Sequence, residues 1–218
     1  MTNCSLRPSI CFVRCAKVTP FTGVWIEINK NVITMLRIGF MGTHCCGKTT
    51  MVNALHERLP NMTVIVDAAS IVPRNLRNNP LSQCWILNNQ IRAEQQPGFI
   101  SDRTIFDCLD YYRMTCEKQG YIDFDLEASY HATFARHMQS NPYDIIFHVD
   151  EFFPLRDNGT RNISEDDQRW VHYFLERQAR IIEGTYGIRV VPVKGSRDDR
   201  NVTINTVLQA YIDAGLMQ

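Results

Sequence analysis

Apolar residues along the chain change their spacing repeatedly, and the changes separate short runs from longer amphipathic stretches. Leu36 to Met41, Met62 to Asp67, Gly98 to Ser101, Ile145 to Val149 and Ile188 to Val193 are short, mostly apolar runs that predict buried strands. Between them lie segments of helical spacing. One starts at about Lys48 and is stopped by Pro60, and Leu81 to Gln95 carries Leu81, Cys84, Leu87 and Ile91 on one stripe. A third leads from Asp102-Arg103 through Tyr112, and a fourth, Tyr121 to Ser140, aligns Leu126, Tyr130 and Phe134 before Pro142 closes it. Ser164 followed by Asp167 reads as a capping box opening a helix to about Ile182, and Val202 to Ile212 is the last helix. Strands alternating with helices predict an α/β fold with a mainly parallel, five-stranded sheet covered on both faces.

Residues 1–35 lack this alternation. Cys4, Cys11 and Cys15 sit there among Pro8, Pro20 and Gly23 without a paired histidine motif, a weak pattern for zinc. They read as a short N-terminal extension before one domain over residues 36–218; Met35, directly before the first strand, also fits a start placed too far upstream. Hydrophobic residues make up 44% and charged residues 21%, enough for a real core. Lys plus Arg equals Asp plus Glu at 23 each, so no global field draws the chain to nucleic acid or to an anionic membrane. No apolar run nears the ~18 residues of a membrane span, and Arg7, Arg14 and Lys17 interrupt any leader. The expected compartment is the cytoplasm, that of a host cell if the source is viral. In a reducing compartment the 8 cysteines act mostly as small buried hydrophobes.

The densest chemical signal is Gly42-Thr43-His44-Cys45-Cys46-Gly47-Lys48-Thr49-Thr50, set between a predicted strand and a predicted helix. This is the Walker A pattern: the glycines let successive N–H groups turn inward onto phosphate oxygens, and the helix start adds positive potential. Lys48 is the residue to reach the β and γ phosphates of ATP, and the Thr49 hydroxyl is a ligand for Mg²⁺. His44, Cys45 and Cys46 occupy variable positions, where backbone rather than side chain does the binding; a redox-sensitive thiol there is a further expectation.

Three predicted strands end in acid, at Asp67, Asp102 and Asp150. Asp102-Arg103 is the strongest pair, the carboxylate for metal or acceptor and the guanidinium for phosphate. Asp67 is a candidate base for the acceptor or a turn cap, and Asp150-Glu151 resembles a Walker B end in which the glutamate activates water. Arg156 and Arg161 flank a glycine turn and read as a lid that closes on phosphates. Arg74, Arg77 and Arg92, with five asparagines and no acid between Pro73 and Arg92, form a basic stretch suited to a substrate phosphate or a nucleic-acid backbone.

Taken in order, G-T-H-C-C-G-K-T, Q-I-R-A-E, G-F-I-S-D-R-T, D-N-G-T-R and V-K-G-S-R-D-D-R make the chain from about Leu36 to Ile212 resemble the P-loop kinases of the thymidylate-kinase and deoxynucleoside-kinase group, and the nicotinamide-riboside kinase domain. The resemblance implies a three-layer P-loop NTPase fold, MgATP as donor, and a nucleoside or nucleotide acceptor. It implies Asp102-Arg103 on the strand beside the phosphate loop, Thr49 and Asp102 at the metal, Arg156 and Arg161 in the lid, and Arg200 near the adenine. Thr104 stands where thymidylate kinases usually carry an aromatic. A viral branch of this group phosphorylates 5-hydroxymethyluracil within DNA, so DNA is a second acceptor class, and a regulatory ATPase using Asp150-Glu151 is a third reading. The oligomeric state stays open, a homodimer included.

Overall fold

The computed structural model describes residues 36–77, 79–140, 143–155 and 164–214. The N-terminal extension and the lid arginines Arg156 and Arg161 lie outside them. Strands β1 (Arg37–Met41), β2 (Thr63–Ile65), β3 (Phe99–Ser101), β4 (Ile145–Val149) and β5 (Arg189–Val193) form one parallel sheet in the order β2-β3-β1-β4-β5. Every residue of β3 and β4 is buried, as strands covered on both faces must be.

Period-two alternation divides the side chains between two cores. Ile38, Phe40, Ile100 and Phe147 pack with Met51, Val52 and Leu55 of α1 (Lys48–Arg58) and with Ile204 and Leu208 of α6 (Arg197–Asp213). Met41, Phe99, Ile146 and Val190 face the other way, onto α2 (Pro80–Ala93), α3 (Ile105–Gln119), α4 (Phe124–Ser140) and α5 (Glu165–Ile181). Gly39 marks a close approach: a Cβ there would lie 2.6 Å from the Thr104 methyl, so the start of α3 rests against β1.

The helix starts explain most departures from the expected boundaries. α6 begins at Arg197, not Val202, because Ser196 and Asp199 cap each other across the first turn. α3 runs to Gln119 rather than Tyr112; its second half is polar enough to lose the apolar stripe, and Gly120 (φ 56°) ends it. α4 then starts at Phe124, with Leu126 only half-buried while Tyr130 and Phe134 join the core. Single-turn 3₁₀ segments at Ala68–Ile71 and Arg74–Leu76 fill the chain after β2, which is shorter than expected. No helix among the described residues is long and apolar enough to cross a membrane.

One buried carboxyl in this frame has a pH signature. Asp110 on α3 has a side chain 0% exposed and no hydrogen bond to either oxygen, with Arg113 3.6 Å away. Burial pushes its pKa up to about 7 against the pull of Arg113. Unfolding returns it to the usual value near ~4, so the folded state holds a proton that the unfolded state has released. This contribution to stability is complete below about pH 4 and is lost as pH rises through about 7. Asp110→Asn is therefore expected to raise the melting temperature at about pH 8 and change it little at about pH 4. Thermal scans at both values check this, and equal shifts at the two would contradict it.

Candidate functional site

The phosphate loop leaves β1 at Gly42, where a Cβ would meet Cys46 Sγ at 2.8 Å and Val149 O at 2.9 Å, so only glycine fits. Gly47, at φ 94°, turns the chain into α1 without a side-chain cap, and Cys45 adopts a left-handed φ of 55°. The loop's carbonyls are held one after another. Lys48 Nζ donates to Gly42 O (2.6 Å) and Thr43 O (2.8 Å), Gln168 Nε2 to His44 O (2.7 Å), Phe153 N to Cys45 O (2.9 Å), and Arg200 to Cys46 O (2.6 Å). A trans peptide aims its N–H opposite to its carbonyl, so a carbonyl tied to the surrounding groups turns the next amide toward the loop's interior, the arrangement of an anion nest. Cys46 is buried in the core at 1% exposure and Cys45 is half-buried. Iodoacetamide is expected to modify Cys45 well before Cys46, read by peptide mass spectrometry; the reverse order would mean that the loop opens widely.

The acids and cations come from the C-terminal edges of neighbouring strands. β3 pairs with β1, which sets Asp102 beside the loop, and Thr49 Oγ1 donates to Asp102 Oδ2 at 2.6 Å. Burial raises the Asp102 pKa, opposed by Lys48 and by the Thr49 bond, and its Oδ1 is buried without a hydrogen-bond partner. Arg103 is 3% exposed and pairs with Asp67 Oδ2 at 2.8 Å across β2 and β3. For Asp67 burial acts upward, but Arg103, the Ala69 amide and Lys48 outweigh it and hold the carboxyl below its ordinary value. Its Oδ1 accepts from Ala69 N, so Asp67 is both the cap of the turn after β2 and an ion-pair partner. The Arg103 guanidinium also lies over the Tyr111 ring at 4.6 Å, and the Tyr111 hydroxyl bonds His44 Nδ1, which joins the acid–arginine pair to the loop.

Other expected residues are occupied differently. Arg200, expected near a base, is 3% exposed; beyond Cys46 O, it donates to Gly195 O (2.9 Å) and to Glu151 Oε2 (3.0 Å), which makes it a brace behind the loop. The same Glu151 oxygen accepts from Gly195 N (2.7 Å), and that bond, then Arg200, lowers its pKa. Asp150 Oδ2 pairs with Lys194 at 2.5 Å. In the basic stretch Arg74, Arg77 and Arg92 are exposed, whereas the amides of Asn88 and Asn89 donate back to Cys84 O and Trp85 O of their own helix.

Three supporting groups had not been singled out from the sequence. Asp107 is fully buried, accepting Gly42 N on Oδ1 (3.0 Å) and Thr104 N on Oδ2 (2.9 Å); Thr104-x-x-Asp107 is a capping-box pattern that does signal it. Gln168 joins the loop to the chain after β4 through Phe153 O, and its carbonyl accepts Thr43 Oγ1 (3.2 Å). Glu94, 0% exposed, receives hydrogen bonds from Tyr143 and Gln90 and pairs with His137 at 2.5 Å, while Gln90 also reaches Arg103 O at 2.9 Å. That network fixes the backbone behind Asp102-Arg103, and only the Q-I-R-A-E string hinted at it.

The fold has counterparts among solved structures. Deoxyadenosine kinase from M. mycoides with bound dCTP superposes with a TM-score of 0.60 at 14% identity, covering 80% of this chain and 100% of that one. The same enzyme with products dCMP and a flexible dCDP gives 0.60 at 13% identity over the same shares, and with bound dATP 0.53 at 14%, over 79% and 98%. The likeness establishes a P-loop, nucleoside-kinase-like fold. No curated protein matches the sequence. A family model described as an AAA domain matches residues 37–200, three-quarters of the chain, and the protein belongs to that family.

Proposed function

We propose that the protein is an ATP-dependent phosphotransferase that moves the γ-phosphoryl group of ATP to a hydroxyl or phosphate of a nucleoside or nucleotide. The observation that carries this reading is the 2.6 Å bond from Thr49 to Asp102, which joins the loop hydroxyl to an acid on the adjacent strand. The unpartnered, buried Asp102 Oδ1 beside a threonine hydroxyl is an oxygen donor set that fits Mg²⁺. Thr49 and Asp102 would hold the ion, which when bound supplies charge neutralisation on the phosphate oxygens.

The chain's own groups do the rest. Loop amides from Thr43 to Thr50 hold the donor phosphates, and Lys48 exchanges its bonds to Gly42 O and Thr43 O for phosphate oxygens. An acceptor oxygen attacks the γ-phosphorus, its bond to the β-bridging oxygen breaks, and ADP leaves. Asp67 is ionised at neutral pH, since Arg103 holds its pKa low, and it accepts the hydroxyl proton while Arg103 neutralises the moving group. Arg156 and Arg161 complete the cationic set in this reading. The M. mycoides kinase, a deoxynucleoside enzyme with a similar fold, supports a nucleoside-type acceptor.

A transfer screen with radiolabelled ATP over nucleosides, nucleotides and 5-hydroxymethyluracil-containing DNA tests the proposal. Label is expected in a free nucleoside or nucleotide pool; label only in DNA identifies the DNA-modifying alternative, and label only in inorganic phosphate sinks both. Exposed Arg74, Arg77 and Arg92 keep the DNA acceptor as the second reading, and a duplex gel shift at low salt is its direct check. For the regulatory ATPase, Glu151 is the diagnostic residue. Because its carboxylate is bonded to Gly195 and Arg200, Glu151→Gln is expected to spare most turnover. Loss of acceptor-free hydrolysis in Glu151→Gln but not in Asp102→Asn would overturn the kinase reading.

A further inference from the structure

On the far side of β1 from Asp102, a second polar cluster stands apart from the groups used above. β4 ends at Val149, and Asp150 follows it toward the face covered by α5, where His172 and Glu176 sit one turn apart in the i, i+4 relation. Asp150 Oδ1 lies 3.8 Å from His172 Nε2, and Glu176 Oε1 lies 4.0 Å from the same nitrogen. One ligand atom from each of the three falls within 4.8 Å of the others, and they are the residues among those described that group in this way.

A second, independent observation comes from satisfaction of polar atoms. The Asp150 side chain is only 10% exposed, Lys194 holds its Oδ2 at 2.5 Å, and its Oδ1, the oxygen facing His172, has no hydrogen-bond partner. Two residues earlier on the same strand face, His148 is 4% exposed with an unpartnered Nε2. A cation between Asp150 Oδ1 and His172 would satisfy the buried carboxylate oxygen that the protein leaves unpartnered. The Phe152 ring packs edge-on against His172 at 5.0 Å and fixes the imidazole plane.

We infer that Asp150, His172 and Glu176 form a binding site for a divalent transition cation of the Mn²⁺ or Zn²⁺ class, separate from the phosphate loop. One imidazole nitrogen with two carboxylates suits these borderline ions better than Mg²⁺, which prefers an all-oxygen shell. Metal–ligand bonds of about 2.0–2.2 Å need ligand atoms slightly closer together than the present ones, and Glu176, whose side chain is 44% exposed, has room to close. Lys194 on the remaining Asp150 oxygen orients the carboxylate for single-oxygen ligation. A cation there ties the end of β4 to α5 one turn beyond Gln168, the residue that grips His44 O and Phe153 O, so it braces the loop from the side opposite Asp102.

The test is an electron paramagnetic resonance titration of the full-length, nucleotide-free protein with MnCl₂ alone, which avoids the thiol binding that zinc invites, together with thermal scans. One Mn²⁺ per chain bound in addition to any at Thr49 and Asp102, and a higher melting temperature, are expected. Glu176→Gln, an exposed change that the fold tolerates, and His172→Ala are each expected to weaken binding by about tenfold or more. Thr49→Ala leaves it unchanged. No bound Mn²⁺ at millimolar concentration, retention of binding in Glu176→Gln and His172→Ala, or loss of binding in Thr49→Ala would each overturn the inference, the last by moving the ion to the phosphate loop.

Discussion

Asp102→Asn is expected to reduce phosphoryl transfer by about a thousandfold while raising the melting temperature. The two effects share one cause. Asp102 is a buried carboxylate with one oxygen on Thr49 and the other unpartnered, and burial raises its pKa, so the negative charge is held there at a cost to the fold. Asparagine keeps the shape and still accepts the Thr49 hydroxyl, so the local geometry survives and the charge penalty disappears. What is lost is the anionic oxygen available to a hard cation, and with it the charge balance around the transferring group. Single-turnover transfer rates beside thermal scans check both halves. A variant that loses stability along with activity would show that Asp102 is structural rather than catalytic.

Asp107→Ala should produce the largest fall in stability of any single change near the loop, about 3–5 kcal/mol. In a domain of this size that corresponds to a melting temperature lower by about 6–20 °C. Asp107 is fully buried and accepts from Gly42 N, Thr104 N and the Thr104 hydroxyl, so its removal strands the first loop amide and uncaps α3 together. Asparagine does not rescue it. One carboxamide oxygen replaces one acceptor, but the amide nitrogen then faces another donor at Gly42 or Thr104. Thermal scans of the alanine and asparagine variants check this, and a near-native asparagine variant would mean that water serves one of the two donors.

The sheet was legible because each strand is a short apolar run bounded by turns, and the loop because Gly42, Gly47, Lys48 and Thr49 carry a pattern with a physical need behind each position. Strand adjacency was not legible from periodicity, since an apolar run carries no record of its neighbour; the place of Asp102 beside the loop came from the resemblance and agrees with the pairing of β3 with β1. Buried polar groups were the poorest guess. Asp107, Glu94 and Gln168 look like ordinary helix-surface residues in sequence, and their meaning depends on partners up to 125 positions away. Arg200 shows the reverse: a residue that the resemblance sets near the adenine is bonded in this structure to the loop's own carbonyl and to Glu151.

Those distant partners also fix an order of events during synthesis. Gln168 lies 124 positions beyond His44, whose carbonyl it holds, and Arg200 lies 154 positions beyond Cys46. A chain emerging from the ribosome therefore carries its complete glycine loop long before the two groups that shape it exist. The left-handed Cys45 and the tied loop carbonyls are set only once α6 has docked, after every strand of the sheet has been made. Until then the growing chain has the motif without the braced loop that a phosphate group would meet.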